Sequence, residues 1–207
     1  MLDKEVWNKK HSESVGRYNR VTDFARLCQT NFIKQKKCKL LDLCCGKGAD
    51  SIFFHNKGLK VSTIDYSGEA IKQFNDIQKK YSLFITALVR DVTESIPFED
   101  NSFDFIYSRL GLHYFTNKEL KKIASEIERV LKSEGLLMFQ VKSTRDKNYG
   151  VGKKLEKDMY EDETGYVRHF FNIEYVEELF KEFNIIMCEE RNVNNVSSYL
   201  EVVLEKK

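Results

Sequence analysis

Leu40-Leu41-Asp42-Leu43-Cys44-Cys45-Gly46-Lys47-Gly48-Ala49-Asp50 is the segment from which the rest of the chain can be read. A short apolar run leads into Asp42, two glycines follow, and a helical pattern begins at once. That order reads as strand, tight loop, helix. Glycine lacks a Cβ and tolerates positive φ, so such a loop lets a ligand approach bare backbone. A dinucleotide fingerprint places its third glycine where Ser51 stands. An acid also precedes the glycines here. A carboxylate in that turn repels a pyrophosphate and suits a ligand carrying an amino group.

Downstream, the pattern repeats. Residues 60–65 read as a second strand ending in Asp65, about twenty residues beyond the glycine turn, where a parallel α/β unit places a carboxylate for ribose hydroxyls. A carboxylate can accept both hydroxyl protons. Residues 67–81 carry Ala70, Ile71, Phe74, Ile77 and Tyr81 at helical spacing. A third apolar run over 83–89 precedes Arg90-Asp91-Val92. One strand-end acid reads equally well as a helix cap or turn former. Asp42, Asp65 and Asp91 at the carboxyl ends of three successive strands instead line the crevice where open α/β sheets bind ligands.

The chain's one proline sits in Ile96-Pro97-Phe98-Glu99-Asp100-Asn101-Ser102-Phe103-Asp104, ahead of a fourth strand over 103–108. An amphipathic helix over 118–131, ended near Gly135, and a fifth strand over 136–141 follow. A helix over 175–183 precedes two runs, 185–190 and 199–204, around an Asn- and Ser-rich turn, which is a hairpin signal.

Together the glycine loop, the acid after strand two, Asp-Val after strand three and the Pro-Phe-x-Asp-x-Ser-Phe-Asp phrase resemble the class I S-adenosylmethionine-dependent methyltransferases, over about residues 40–141. The resemblance implies a Rossmann-like α/β fold: a seven-stranded, mostly parallel sheet with a C-terminal antiparallel hairpin and helices on both faces. It implies S-adenosylmethionine as cofactor. Asp42 would lie near the amino group of its methionine part, with Gly46 and Gly48 leaving room. Asp65 would take the ribose hydroxyls, and Tyr66 and Ser67 would flank adenine and ribose. Asp91 would accept from the adenine N6 amino group and the Val92 backbone would reach a ring nitrogen. Cys44 and Arg109 complete the cofactor-binding set; the family usually has glycine where Cys44 stands. The segment Tyr149-Gly150-Val151-Gly152 with His169-Phe170-Phe171 is similar to small-molecule members, including the tellurite-resistance type.

A sulfonium makes its methyl carbon electrophilic, so the protein mainly has to hold an acceptor lone pair in line at ~3 Å. A general base is needed only when the acceptor carries a proton of high pKa. His113, Tyr18 and His169 are the candidates for that role. His113 reads equally as a histidine satisfying local backbone groups. The sequence after strand four, Arg109-Leu110-Gly111-Leu112-His113-Tyr114-Phe115, carries neither Asn-Pro-Pro-Tyr nor Pro-Cys. The implied reaction is methyl transfer to a small-molecule O, N or S (or Se/Te) acceptor.

With 207 residues, a single domain is expected. Residues 1–36 read as a helical cap, either packing Trp7 onto the body or presenting Arg17 or Tyr18 to a ligand. Residues 145–170 show little periodicity and read as a loop: a substrate lid bearing Tyr149, Tyr160, Tyr166, Arg168 and His169, or a surface insertion. Net charge of +2 gives no general pull on nucleic acid, although Lys34, Lys36, Lys37 and Lys39 with Lys153 and Lys154 keep an RNA or protein methyltransferase open as an alternative. A cofactor-binding protein without turnover is the other. No apolar run approaches the ~20 residues of a membrane span, and the start, Met-Leu-Asp-Lys-Glu-Val-Trp, has no signal-peptide core, so a cytoplasmic location is expected. Five cysteines, an odd count without a C-x-x-C pair, read as reduced thiols rather than a metal site.

Overall fold

A computed structural model describes residues 4–14, 20–193 and 196–207. The glycine-loop segment folds as the sequence predicts: strand β1 (Lys39–Leu43), the loop, then α3 (Ala49–Asn56). Two helices precede it, α1 (Lys4–Glu13) and α2 (Asp23–Asn31). The chain continues through β2 (Lys60–Asp65), α4 (Gly68–Tyr81), β3 (Thr86–Val89), β4 (Phe103–Arg109), a 3-10 turn at Leu112–Tyr114, α5 (Asn117–Val130) and β5 (Leu131–Lys142). It ends in β6 (Lys153–Glu156), β7 (Met159–Glu161), β8 (Val167–His169), α6 (Ile173–Leu179), β9 (Phe183–Val193) and β10 (Ser197–Lys206).

Seven strands form one sheet in the order β3-β2-β1-β4-β5-β10-β9. β3, β2, β1, β4 and β5 pair in parallel, and β10 enters antiparallel between β5 and β9. The order reverses at β1, whose neighbours are β2 and β4, so the crevice beyond its carboxyl end is where such sheets bind ligands.

The strands are buried on both faces, as parallel strands covered by helices must be. On one face Leu41, Leu43, Ile106, Leu137 and Phe139 pack against α5 and α6. On the other, Leu40, Phe105, Tyr107 and Met138 pack against Phe24 and Cys28 of α2, Phe54 of α3 and Phe74 of α4. The period-two alternation within β1, β4 and β5 sends successive side chains to the two cores. α5 opens on a reciprocal capping box between Thr116 and Glu119.

Two expectations are corrected. Residues 145–170 are not an open loop: β6, β7 and β8 form a separate three-stranded antiparallel sheet. Strands of three and four residues are too short to show a period, and their pairing comes from across the turns. Met159, His169, Phe170 and Phe171 are buried and anchor it to the body. Gly135 does not end α5; the chain passes from Val130 directly into β5.

Gly48 is fixed by packing. It adopts φ +73, and a Cβ there would lie 2.6 Å from the Phe74 ring. Gly48→Ala is expected to destabilise the protein by ~1–3 kcal/mol through overpacking. Denaturant melts should show a smaller loss when the same change is made in a Phe74→Leu background.

Candidate active site

A cavity of about 580 Å³ opens at the carboxyl ends of β1, β2 and β4, and α1 and the start of α2 contribute to its wall. Asp42, Cys44, Gly46, Asp65, Tyr66 and Arg109 of the sequence-predicted set all line it.

Asp42 and Asp65 are buried. The Ser51 hydroxyl donates to Asp42 at 2.5 Å. The Asp65 carboxylate accepts from the N–H of Gly46 (2.7 Å) and of Ser67 (2.8 Å). Burial pushes the Asp42 carboxyl well above the usual range, and the nearby Asp50 and Asp65 add to that. Burial also raises Asp65, against the pull of its backbone donors. A cavity with this electrostatic character favours a positively charged ligand group, whose arrival stabilises the ionised carboxylates.

The glycine loop is bare where a ligand would approach. At Gly46 an added Cβ would meet only the His11 ring edge, 3.4 Å away. Cys44 explains the family's glycine preference at its position: its φ is +60, in the left-handed region, at a cost of ~1–2 kcal/mol for a residue with a Cβ. Its side chain occupies space that Gly111 leaves open, since a Cβ at Gly111 would fall 2.4 Å from that of Cys44.

Several predicted residues stand elsewhere. Gly48 faces Phe74 rather than the cavity. Ser67 is the N-cap of α4, accepting from the Ala70 N–H and donating to Asn8 Oδ1 at 2.9 Å, which ties α1 to α4. Asp91 accepts from the N–H and hydroxyl of Thr93. The Val92 side chain lies in the core. None of these four lines the cavity.

The catalytic candidates His113 and His169 stand outside the cavity. His113 is buried outside the cavity, its ring 4.3 Å from that of Tyr114, and its Nδ1 has no partner among the described residues. Burial first, then Arg168, Lys142, Lys10 and Arg109, hold its pKa well below the ordinary value. His169 is likewise outside, stacked on Tyr175 at 4.8 Å with its Nδ1 3.3 Å from the Phe115 carbonyl. Tyr18 and Arg17 lie outside the described residues.

Sequence reasoning missed a polar knot. Asp50 accepts from the N–H and hydroxyl of Thr22 and from the Tyr107 hydroxyl, each at 2.8 Å. These residues come from α3, the N-cap of α2 and β4, and all line the cavity. Their separations of 28 and 57 positions leave no local signal. Trp7, Lys10 and His11 of α1 line the same cavity. Burial and the adjacent Lys47 and Lys10 push His11 down to about 4.

Residues 40–135 match the family model described as a methyltransferase domain. An uncharacterized methyltransferase of Synechocystis is 32% identical over 98 residues, 47% of this chain and 44% of that protein. The malonyl-[acyl-carrier protein] O-methyltransferase of Hamiltonella defensa is 28% identical over 156 residues, 74% of this chain and 56% of that one. The chain thus spans about half the length of the curated relatives it matches. Among solved structures, the 1,6-didemethyltoxoflavin-N1-methyltransferase of Burkholderia thailandensis, with bound S-adenosylhomocysteine, superposes with a TM-score of 0.79 at 14% identity. The alignment covers 99% of this chain and 87% of that one.

Gly111→Ala is expected to lower stability through its clash with Cys44, and Cys44→Gly in the same chain to restore it. Thermal melts of the two single variants and the double check this. Docked α1 keeps His11 neutral down to about pH 4, whereas a released His11 protonates near 6.5. The released form therefore gains protons first as pH falls, and docking weakens progressively from about pH 6.5 to 4. Emission of Trp7, the single tryptophan, should shift toward that of exposed indole over this window and stay flatter in His11→Asn.

Proposed function

We propose that this chain, whose residues 40–135 match the methyltransferase-domain family model, transfers a methyl group from S-adenosylmethionine to a small-molecule acceptor. The observation that carries this is the convergence of Asp42, Asp65 and the bare backbone of Gly46 on one cavity at the reversal point of the sheet.

The residues present suit that cofactor. Asp42 would receive the α-ammonium group, and Asp65, at the end of β2, the ribose hydroxyls. The Arg109 Nε is buried, without a partner among the described residues, and lines the cavity, so it would take the α-carboxylate. Tyr66 offers its ring beside the ribose. When bound, the cofactor supplies a methyl carbon made electrophilic by its sulfonium.

What the chain itself contributes is placement. The Asp50 knot holds the entry of α2 against β4, and α1 covers the cavity, so an acceptor would be held with restricted motion and away from bulk water. Among the described residues no histidine other than His11 lines the cavity, and burial keeps His11 uncharged above about pH 4. The described cavity therefore carries no histidine poised as an obligatory general base. An oxygen, nitrogen or sulfur acceptor that arrives deprotonated needs none. A small acceptor is favoured by the cavity's size and cover.

Calorimetric titration with S-adenosylhomocysteine tests the reading. Micromolar binding, ~8 kcal/mol, is expected for the wild type. Asp65→Ala should weaken it about tenfold or more, ~1.4 kcal/mol. Asp91→Ala should have the smaller effect, since Asp91 stands outside the cavity. Absence of binding to folded wild-type protein opposes the proposal.

A further inference from the structure

The wall of the cavity formed by α1 contains a feature that methyl-donor binding does not account for. The Lys10 ammonium is surrounded by three aromatic rings: Trp7 at 4.4 Å, Tyr166 at 5.0 Å and Tyr114 at 5.5 Å. The rings come from α1, the 3-10 turn after β4 and the turn before β8. They meet each other edge to face, Trp7 on Tyr114 at 4.6 Å and Trp7 on Tyr166 at 6.4 Å. Trp7, Lys10 and Tyr114 line the cavity that holds Asp42 and Asp65.

Lysine normally extends its ammonium into water. Lys10 instead turns inward and forms no ion pair among the described residues. The charged group nearest in effect is Arg168, a like charge. Asp162, in the turn that carries Tyr166, is paired with Arg168 and with Thr164. Burial and Arg168 bring Lys10 down to about 8. What attracts the ammonium is therefore the ring faces. A primary ammonium is compact and strongly hydrated, so it enters such a cage at high desolvation cost. An alkylated ammonium gives up less hydration and fills the three faces better.

We infer that the Trp7–Tyr114–Tyr166 cage is a binding subsite for an organic ammonium ion, with Lys10 as its built-in occupant when the ligand is absent. Resting on the reading of this cavity as a methyl-transfer site, the inference makes the acceptor a molecule that carries an alkylated ammonium group as its recognition handle, docked against these rings, while a separate atom with a free lone pair takes the methyl group. Lys10 would then be a displaceable plug rather than a proton acceptor.

The probe is tetramethylammonium chloride, followed by Trp7 emission at constant ionic strength, with neopentyl alcohol as neutral isostere and sodium chloride as salt control. A saturable response to tetramethylammonium alone is expected from the wild type. If Lys10 fills the cage nine-tenths of the time, Lys10→Gln should bind about tenfold more tightly. Tyr166→Leu added to Lys10→Gln should weaken binding again by a similar factor. No saturable response in either wild type or Lys10→Gln, with both folded and binding S-adenosylhomocysteine, overturns the inference and leaves the rings as the structural seat of Lys10. Equal responses to the neutral isostere overturn it too. Cation binding without S-adenosylhomocysteine binding leaves the subsite in place and removes the methyl-transfer reading.

Discussion

Asp65 accepts hydrogen bonds from the N–H groups of Gly46 and Ser67, and those two bonds tie the loop after β1 to the start of α4. The rest of the site depends on this tie. It turns the Gly46 backbone toward the cavity and fixes Ser67, which caps α4 and reaches Asn8 of α1. A buried carboxylate without such donors would shed its charge. With them, Asp65 stays at the crevice as an acceptor, although burial still raises its pKa.

A second set of contacts brings the N-terminal helices over the crevice. Asp50 binds the backbone and hydroxyl of Thr22 together with the Tyr107 hydroxyl, so one carboxylate joins α2, α3 and β4. α1 rests on α4 through Asn8, and on Tyr114 and Tyr166 through Trp7. Its docking places His11 among Lys47 and Lys10, and Lys10 near Arg168, in a poorly hydrated region. That crowding is tolerated because His11 is held neutral and the ring faces attract Lys10. The same balance makes α1 the part of the cavity wall most responsive to charge.

The small sheet β6-β7-β8 stands behind the 3-10 turn that lines the cavity. Its Tyr166 contributes a ring to the cage, and its contact with the 3-10 turn after β4 holds Tyr114 in place. His113 and His169, attractive in isolation, are consumed by this packing: one is buried against Tyr114, the other stacks on Tyr175 and meets a backbone carbonyl. What the site offers a bound ligand then rests on positioning and on charge complementarity.

The sequence by itself determined the βαβ order, the glycine loop and the strand-end acids Asp42 and Asp65, because each is written in a local pattern: strand, turn and helix signals depend on neighbouring residues. The seven-stranded sheet with its C-terminal hairpin followed from the same patterns and from the resemblance they carried. Tertiary structure alone decided which of the marked residues meet. Gly48 serves Phe74, and Ser67 serves a helix cap. Cys44 is accommodated by Gly111, 67 positions away in sequence. The Asp50 knot and the cage around Lys10 join side chains from elements far apart in the chain, and the three short strands of the small sheet form only through pairing across turns. Such contacts are set by how helices pack on a sheet, and no spacing along the chain encodes them.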